Sequence, residues 1–323
     1  MKQVKLFSFI IILFLANALV AQDAVVNEVS KASNNASKKS ASAKVDSLKN
    51  WETGGAINLN FAQVGLKNWA GGGQNSVALS SLVSLNANYE KDKTKWTNNL
   101  DVAYGIARVG GGDFPFKKSD DQLILISKYS HDINENWAYA GLLDFRTQMA
   151  PGYTYRFDTI NGEQEEVKDR LISDFLSPGY AIVTAGIEYS RGESFYALIS
   201  PIAGKITMVL NDELNSRGAF GVDSNEAIRF EFGALLRIGY KKKVMENVDF
   251  STGLTLFQGY SNFGKIDVNW ETLLTFKVNK YLSTTFSTLL IYDDDVDVVR
   301  DDETVGPAIQ FKNVLNIGLL YKF

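Results

Sequence analysis

The sequence predicts an all-β fold: a single transmembrane, antiparallel, up-and-down β-barrel of about twelve strands, with both termini in the periplasm. Three observations lead to this prediction. Segments of alternating apolar and polar residues recur along the chain, as in strands that have one apolar face. Short and long connections alternate between these segments, and the chain ends on an alternating stretch that is rich in aromatic residues.

Twelve alternating segments follow one another after the first fifty residues. Their predicted spans are 53–63, 76–89, 95–108, 121–131, 137–149, 179–190, 194–210, 226–241, 247–260, 266–278, 281–292 and 308–323. Each is near the length that a tilted strand needs to cross a bilayer. We expect the apolar face to contact lipid and the polar face to line a lumen. A soluble β-sandwich or lipocalin-like barrel, with the apolar face inward, is the alternative.

The connections favour the membrane interpretation. Short turns such as 91–94 and 133–136 alternate with longer loops such as 150–178 and 211–225. Outer-membrane barrels have short periplasmic turns and longer external loops. An even number of strands then places both termini in the periplasm.

Aromatic residues stand at the ends of several apolar stripes, where two interfacial girdles are expected. They are Tyr89, Trp96, Trp137, Tyr189, Tyr240, Trp270 and Tyr321.

The C-terminus carries a more specific pattern. Asn316, Gly318, Tyr321 and Phe323 fit the order polar, glycine, aromatic, aromatic. This order resembles the assembly signal of bacterial outer-membrane barrels. The resemblance implies the barrel-assembly machinery as a partner and the outer membrane as the location.

The N-terminus predicts export. Lys2 and Lys5 precede a short apolar run and then small residues up to Ala21, which together indicate a secretory signal peptide. We therefore divide the chain into a signal peptide (1–21), a disordered periplasmic linker (22–50) that is rich in Ser, Ala, Asn and Lys, and a barrel (51–323).

Composition excludes several classes of protein. The chain has no cysteine and one histidine, which excludes disulfides and thiolate metal sites and argues against a zinc site. Removal of the two signal-peptide lysines leaves 31 of the 33 Lys and Arg residues against 37 Asp and Glu, a net charge of −6. This charge is not that of a nucleic-acid-binding protein, and we expect no cofactor and no metal.

The opening of the predicted barrel has a distinctive pattern. It reads Leu-Asn-Phe-x-Gln, then Asn-Trp, then Gly-Gly and Asn-Ser. The matching residues are Leu59, Asn60, Phe61, Gln63, Asn68, Trp69, Gly72, Gly73, Asn75 and Ser76. The pattern resembles the opening signature of an uncharacterised family of Bacteroidota outer-membrane proteins, a domain of unknown function. The resemblance implies a barrel and its location but no activity.

The loop inside that pattern holds a candidate plug. Trp69 precedes three glycines, Gly71, Gly72 and Gly73. Either the loop is an ordinary external turn, or Trp69 folds into the mouth as a partial plug or ligand platform.

Charges on the predicted inward face are candidates for lumen-lining residues. They are Asp144, Arg146, Arg229, Glu231, Arg237, Glu271 and Lys277. Charges inside a barrel need partners. They could therefore form a structural ion-pair network or line a narrow channel with acidic and basic walls. The sequence does not show which residues pair.

The segment 293–303 holds seven carboxylates and one arginine. The ordinary interpretation is a solvated acidic loop. The alternative is that it binds hard cations, which favour several oxygen ligands, and bridges them to lipopolysaccharide.

These observations predict a channel for small polar solutes with a charged, partly obstructed lumen, in contact with outer-membrane lipid and lipopolysaccharide. The alternative is a non-conducting barrel that acts as a scaffold or binds a protein partner through its external loops. The third alternative is an outer-membrane hydrolase, although we expect no enzymatic activity. Ser130 and His131 are adjacent in the sequence, so they point to opposite faces of a strand and cannot share a proton.

Overall fold

The computed structural model describes residues 50–66, 74–110, 116–160, 163–279, 282–300 and 304–322. The predicted signal peptide, linker residues 22–49, the plug candidates Trp69 and Gly71–Gly73, and the terminal Phe323 lie outside the described residues.

Sixteen strands occur in the described part of the chain. They are β1 (Trp51–Val64), β2 (Ser76–Lys91), β3 (Thr94–Val109), β4 (Lys117–Asp132), β5 (Trp137–Thr147), β6 (Gly152–Ile160), β7 (Glu163–Ser173), β8 (Gly179–Arg191), β9 (Phe195–Met208), β10 (Ile228–Met245), β11 (Val248–Gly259), β12 (Ile266–Lys277), β13 (Leu282–Tyr292), β14 (Asp297–Val299), β15 (Val305–Pro307) and β16 (Gln310–Lys322).

Twelve of these strands form one antiparallel barrel. The order around the wall is β1, β2, β3, β4, β5, β8, β9, β10, β11, β12, β13 and β16. The first and last strands pair over four residues, from Ala56 opposite Lys322 to Leu59 opposite Leu319, and this pairing closes the sheet. The all-β class and the twelve predicted strands are confirmed, although β4 begins at Lys117 rather than at residue 121.

The barrel has two different ends. At the turn end, neighbouring strands join through a few residues. Asp92, between β2 and β3, and Gly192, between β8 and β9, take the left-handed φ values of 54° and 58° that such tight turns need. At the loop end, longer segments connect the strands, including the connection from β5 to β8.

The two faces of the wall differ as the alternation predicts. On β10, the outward ring of Phe230 is 62% exposed, whereas the next side chain, Glu231, is only 12% exposed. Exposed apolar residues recur at alternate positions on the other strands, for example Leu59 and Phe61 on β1. The apolar face of the wall therefore points outward, and the polar face points into the barrel.

Aromatic rings cluster near the turn end of the outer face. Trp51 has its ring centroid 5.3 Å from Tyr89 and 5.7 Å from Trp96. Trp137 and Tyr189 are 4.9 Å apart in the same way. At the loop end, the rings of Phe232 and Tyr260 lie 5.5 Å apart. These two groups lie where the sequence predicts interfacial girdles.

The wall is irregular between β8, β9 and β10. The register shifts between Ala185 and Ile187 on β8 and between Gly233 and Leu235 on β10. Pro201, which has no N–H to donate, lies opposite both shifts. The Ser200 hydroxyl substitutes for part of the lost pairing by donating to the carbonyl of Ala185 at 2.5 Å.

The longest connection is itself folded, which the sequence did not predict. Strands β6 and β7 form a hairpin, and a short helix, α1 (Asp212–Ser216), follows β9. These elements share a small core, made by the buried side chains Leu171, Val209, Leu214 and Val222 with Tyr153, Ala219 and Phe220 packed against it. We call this unit the external cap, because it lies outside the strands of the wall, at the loop end. A second small hairpin, β14–β15, lies in the connection between β13 and β16.

The segment that leads from the wall to the cap is held by buried polar contacts. Lys118 donates to Asp121 at 2.9 Å, to Gln148 at 2.8 Å and to the carbonyl of Ala150 at 2.6 Å. Asp121 also accepts the backbone N–H groups of Met149 and Ala150. The chain therefore leaves β5 in a fixed direction.

In the parts that the structure describes, no helix is both long enough and apolar enough to cross a membrane.

The irregular wall generates a stability prediction. A Cβ atom on Gly186 would lie 2.1 Å from the carbonyl oxygen of Ile199, whereas one on Gly141, on the neighbouring strand, would lie 3.8 Å from its nearest contact. Gly186→Ala should therefore destabilise the barrel by about 1–3 kcal/mol or more, because backbone atoms must move. Gly141→Ala is the matched control and should be tolerated. Urea unfolding of both variants tests this, and equal midpoints would contradict it.

Candidate functional site

The centre of the barrel holds a cluster of four charged side chains that we call the central cluster. Arg146 donates to both oxygens of Asp144, at 2.8 and 3.0 Å. Arg237 donates to the same carboxylate at 3.0 Å. A fourth member, Glu271, lies 3.7 Å from Arg146. Two cations and two anions therefore compensate each other inside the wall.

One contact of the central cluster crosses the lumen. Arg146 belongs to β5 and Glu271 to β12. In the order of the wall, β8 to β11 lie between them on one side, and β4, β3, β2, β1, β16 and β13 lie between them on the other. The two side chains therefore approach each other from nearly opposite sides of the barrel, which they could do only through its interior.

The two side chains of this crossing pair are more exposed to solvent than that of the neighbouring Asp144. The side chains of Arg146 and Glu271 are 31% and 32% exposed, whereas Asp144 is 7% exposed. Because the pair lies inside the barrel, its exposure means that space for at least water molecules adjoins it. Asp144, by contrast, is fully engaged by two arginines.

A second cluster, which we call the outer cluster, lies toward the loop end. The ammonium group of Lys205 is 2.6 Å from Asp267, 2.8 Å from Asp293 and 3.6 Å from Glu231. Lys205 is on β9, Asp267 is on β12, and Asp293 directly follows β13. The ammonium group therefore connects parts of the wall that are not neighbours.

Arg229 extends the outer cluster to the external loops. Its guanidinium group lies 2.8 Å from Glu231 and 3.2 Å from Asp295. It also donates to the carbonyl of Gly221 at 2.8 Å. Gly221 belongs to a short 3₁₀ turn (Ala219–Gly221) that packs in the cap. Arg229 thus contacts the inner wall, the external cap and the acidic loop at the same time.

Three consecutive aspartates of the acidic loop have three different cationic partners. Asp293 contacts Lys205 and Asp295 contacts Arg229, while Asp294 lies 2.5 Å from Lys265 in the loop after β11. The hydrogen bond from Lys265 holds the pKa of Asp294 below its usual range. The described residues contain no group of three or more metal-ligating side chains that could hold an ion. Cation bridging to lipopolysaccharide stays a prediction, and Asp301, Asp302 and Glu303 lie outside the described residues.

Simple ion pairs occupy the interior near the turn end. Lys128 and Glu188 approach to 2.6 Å, and Lys277 and Asp249 approach to 2.5 Å. Each pair carries no net charge. The members of the second pair are on adjacent strands, so that pair lies along the wall and does not cross the lumen.

The rest of the described interior includes a neutral wall, an apolar layer, a second apolar group on β1 to β4, and a buried carboxylate. The second apolar group is formed by Ala56, Leu82, Ala103 and Ile124, and the carboxylate is that of Asp101, which accepts a hydrogen bond from the Ser84 hydroxyl. The neutral wall has buried amide and hydroxyl side chains at inward positions: Asn58, Ser84, Asn86, Ser283, Thr285 and Ser287. The apolar layer is formed by Ala140, Leu142, Leu198, Ala203, Leu235 and Phe257. The sequence interpretation, which treated the inward face as polar or small, missed these larger apolar residues.

The structure brings the seven predicted lumen residues into three places. Asp144, Arg146, Arg237 and Glu271 form the central cluster, Arg229 and Glu231 belong to the outer cluster, and Lys277 lies near the turn end. Their part in solute passage stays a prediction. Of the predicted assembly signal, Asn316, Gly318 and Tyr321 belong to the closing strand β16.

Sequence reasoning missed Lys205, the centre of the outer cluster. Its position was readable, because Lys205 alternates with the outward Ile206 and shares the inward face with Thr207. Its partners Asp267 and Asp293 were not readable, since they come from distant strands. His131, the last residue but one of β4, lies 3.2 Å from the hydroxyl of Thr94 at the turn end.

Comparison with known proteins gives a partial family match. The profile of a family described as a protein of unknown function (DUF3078) matches residues 61–153. This match agrees with the resemblance of the opening signature to an uncharacterised family. Comparison with curated proteins finds no match.

Solved structures with a similar chain course include three bacterial proteins. An outer membrane channel from Pseudomonas putida F1 is 13% identical, with 87% of this chain and 100% of that chain covered and a TM-score of 0.37. The toluene transporter TodX from P. putida is 10% identical, with coverages of 87% and 80% and a TM-score of 0.35. The translocator domain of the autotransporter NalP from Neisseria meningitidis is 8% identical, with coverages of 90% and 93% and a TM-score of 0.34. The functional proposal therefore rests on the geometry of the chain itself.

The central cluster generates a second stability prediction. Asp144→Asn would leave two arginines in the interior without their shared carboxylate, and breaking such a buried pair costs about 3–5 kcal/mol. The matched control is Asp132→Asn, because Asp132 contacts Lys95 at 2.7 Å in a more exposed pair that contributes about 0–1 kcal/mol. Urea unfolding in the same detergent should separate the two variants. Equal loss of stability would show that the central cluster is not a structural requirement.

Proposed function

We propose that this protein is an outer-membrane β-barrel that passes small polar solutes through a narrow, charged lumen, with both termini on the periplasmic side. The proposal has two parts, which different observations support. The outer surface supports the location, and the interior supports the passage of solutes.

The outer surface is suited to hydrocarbon. Large apolar side chains such as Phe230 and Val183 are more than half exposed on the outside of the wall, while charged side chains lie inside. A soluble barrel would have the reverse arrangement. The aromatic groups at the two ends of the strands fit the two boundaries between lipid and water. In this location the barrel-assembly machinery and lipopolysaccharide are the expected partners.

The crossing pair of Arg146 and Glu271 carries the second part of the proposal. A barrel that served only as a rigid body could fill its centre with well-packed apolar side chains at no electrostatic cost. Here the centre instead holds charges that reach across the lumen and remain about one third exposed. Their exposure indicates a polar, hydrated space beside the crossing pair, which suits small polar solutes.

The path is narrow. The apolar layer, which includes Leu142 and Phe257, occupies the wall from β5 to β11, and Leu198 and Leu235 in it are at most 3% exposed. Solutes therefore pass beside this layer and close to Arg146 and Glu271. We assign no enzymatic role to these groups, since Asp144 and Glu271 both contact Arg146 and are not free to act as an acid–base pair.

The external cap favours a second candidate function, a scaffold that binds a partner at the cell surface. The cap has its own buried core around Leu171 and Leu214 and is fastened to the barrel by Arg229. A folded platform of this kind can present a fixed binding surface. A scaffold would be electrically silent in bilayers and would co-purify with its partner.

Planar-bilayer recording tests the proposal. The purified barrel should produce discrete current steps in potassium chloride. The double variant Arg146→Gln, Glu271→Gln should increase the single-channel conductance, because the charged contact across the lumen is lost and the shorter glutamine at position 146 leaves more space. Lys277→Gln is the control, since its pair with Asp249 lies along the wall, and its conductance should stay near that of the wild type.

Two results would count against the proposal. A folded wild-type barrel that gives no current steps would favour the scaffold. A double variant with unchanged conductance, in a barrel that does conduct, would show that solutes do not pass beside the crossing pair.

A further inference from the structure

We propose that the outer cluster around Lys205 and Arg229 determines which solutes pass, and that it favours cations, including solutes that carry an ammonium or guanidinium group. This inference rests on the proposed function, because selectivity requires a conducting lumen. It adds the charge class of the solute and the residues that set it.

The outer cluster lies where a solute enters from the loop end. The contact between Lys205 and Asp267 runs from β9 to β12, with two strands of the wall between them. The contact with Asp293 reaches the end of β13, with three strands between. Both contacts therefore cut across the interior of the barrel and narrow its mouth. A solute that enters must pass close to their charges.

The charges of the outer cluster do not cancel. Lys205 and Arg229 contribute two positive charges, whereas Glu231, Asp267, Asp293 and Asp295 contribute four negative charges, which leaves a net charge of −2 when all are ionised. The outer cluster is thus acidic although it is built from ion pairs.

The contacts described above for the other ion pairs of the interior join equal numbers of cations and anions. The central cluster has two cations and two anions, and the pairs Lys128–Glu188 and Lys277–Asp249 have one of each. Among these clusters, net charge is therefore concentrated at the mouth. In a confined space with walls of low dielectric constant, such a charge raises the local concentration of cations and lowers that of anions.

The arrangement of oxygens also suits an ammonium group. Three carboxylates approach one primary ammonium, that of Lys205, at 2.6, 2.8 and 3.6 Å, and the side chain of Lys205 is only 7% exposed. Charge-assisted hydrogen bonds of this kind are short and strong. An ammonium group on a solute can interact with the same carboxylates at the mouth, whereas an anionic group is repelled by them.

The reversal potential in a potassium chloride gradient tests the inference directly. The wild-type barrel should be selective for K⁺ over Cl⁻. Glu231→Gln and Asp267→Asn, which remove one negative charge each at nearly constant volume, should lower the permeability ratio of K⁺ to Cl⁻. Lys205→Met, which makes the mouth more negative, should raise this ratio, and Lys205→Arg should restore it to the wild-type value.

A matched control separates the mouth from the external surface. Lys265 and Asp294 form an ion pair in the loops, and Lys265 is 56% exposed. Lys265→Met changes the charge by the same amount as Lys205→Met but outside the lumen. It should shift the reversal potential much less. A retained heat-dependent shift in gel mobility checks that each variant is folded, and the two carboxylate variants keep the test valid if Lys205→Met does not fold.

Solute flux into vesicles extends the test to organic molecules. Vesicles that contain the barrel should admit arginine, which carries one net positive charge at pH 7, faster than glutamate, which carries one net negative charge. Glu231→Gln should reduce this difference.

The outcomes separate the two proposals. A folded barrel without current would refute the proposed function and this inference with it. A conducting barrel that prefers Cl⁻, or shows no preference, would refute the inference alone, and so would variants of the outer cluster with an unchanged reversal potential.

Discussion

The structure depends on one constraint: charged side chains that point into a closed barrel must find their partners there. The outer face of the wall is apolar, so charges at inward positions lie in a confined space between walls of low dielectric constant, where an isolated charge is costly. The described ion pairs satisfy this requirement across the barrel. Asp144 engages two arginines from β5 and β10, and Lys205 engages carboxylates on β10, on β12 and after β13.

These ion pairs link the permeability of the barrel to the arrangement of its strands. Hydrogen bonds of the sheet join each strand only to its neighbours, whereas some of the ion pairs, such as Arg146–Glu271 and Lys205–Asp293, join parts of the wall that lie far apart. Arg229 extends this network to the external cap and to the acidic loop. The shape of the mouth therefore depends on the same charges that a passing solute meets. A change in one of these side chains is expected to affect both the stability and the permeability of the barrel.

Much of this fold was predictable because a strand repeats every two residues. Alternation located the twelve wall strands and showed which side of each strand is apolar, and it placed Asp144, Arg146, Arg237 and Glu271 on the inward face. Their partners were not predictable. Pairing across the lumen depends on the order of strands around the closed wall and on the height of each residue, and neither quantity can be obtained from local spacing.

The features that the sequence did not predict have similar physical causes. Leu142 and Leu235 are single large apolar residues among small or polar residues at inward positions, so they do not disturb the pattern enough to be noticed. The hairpin β6–β7 was treated as part of a loop because its apolar residues pack against α1 and the 3₁₀ turn, which are distant in sequence. Gly186 and Gly233 allow shifts in the register that depend on neighbouring strands and have no local signature.

The central claim is that the apolar face of the wall contacts lipid, and the most direct measurement is the fluorescence of Trp270 in vesicles. Trp270 is at an outward position of β12 and is 50% exposed. In a variant in which the other four tryptophans are replaced by phenylalanine, brominated lipids should quench Trp270 strongly and aqueous acrylamide should quench it weakly. A folded chain that stays dispersed in buffer without detergent, with Trp270 unaffected by brominated lipids, would contradict the account.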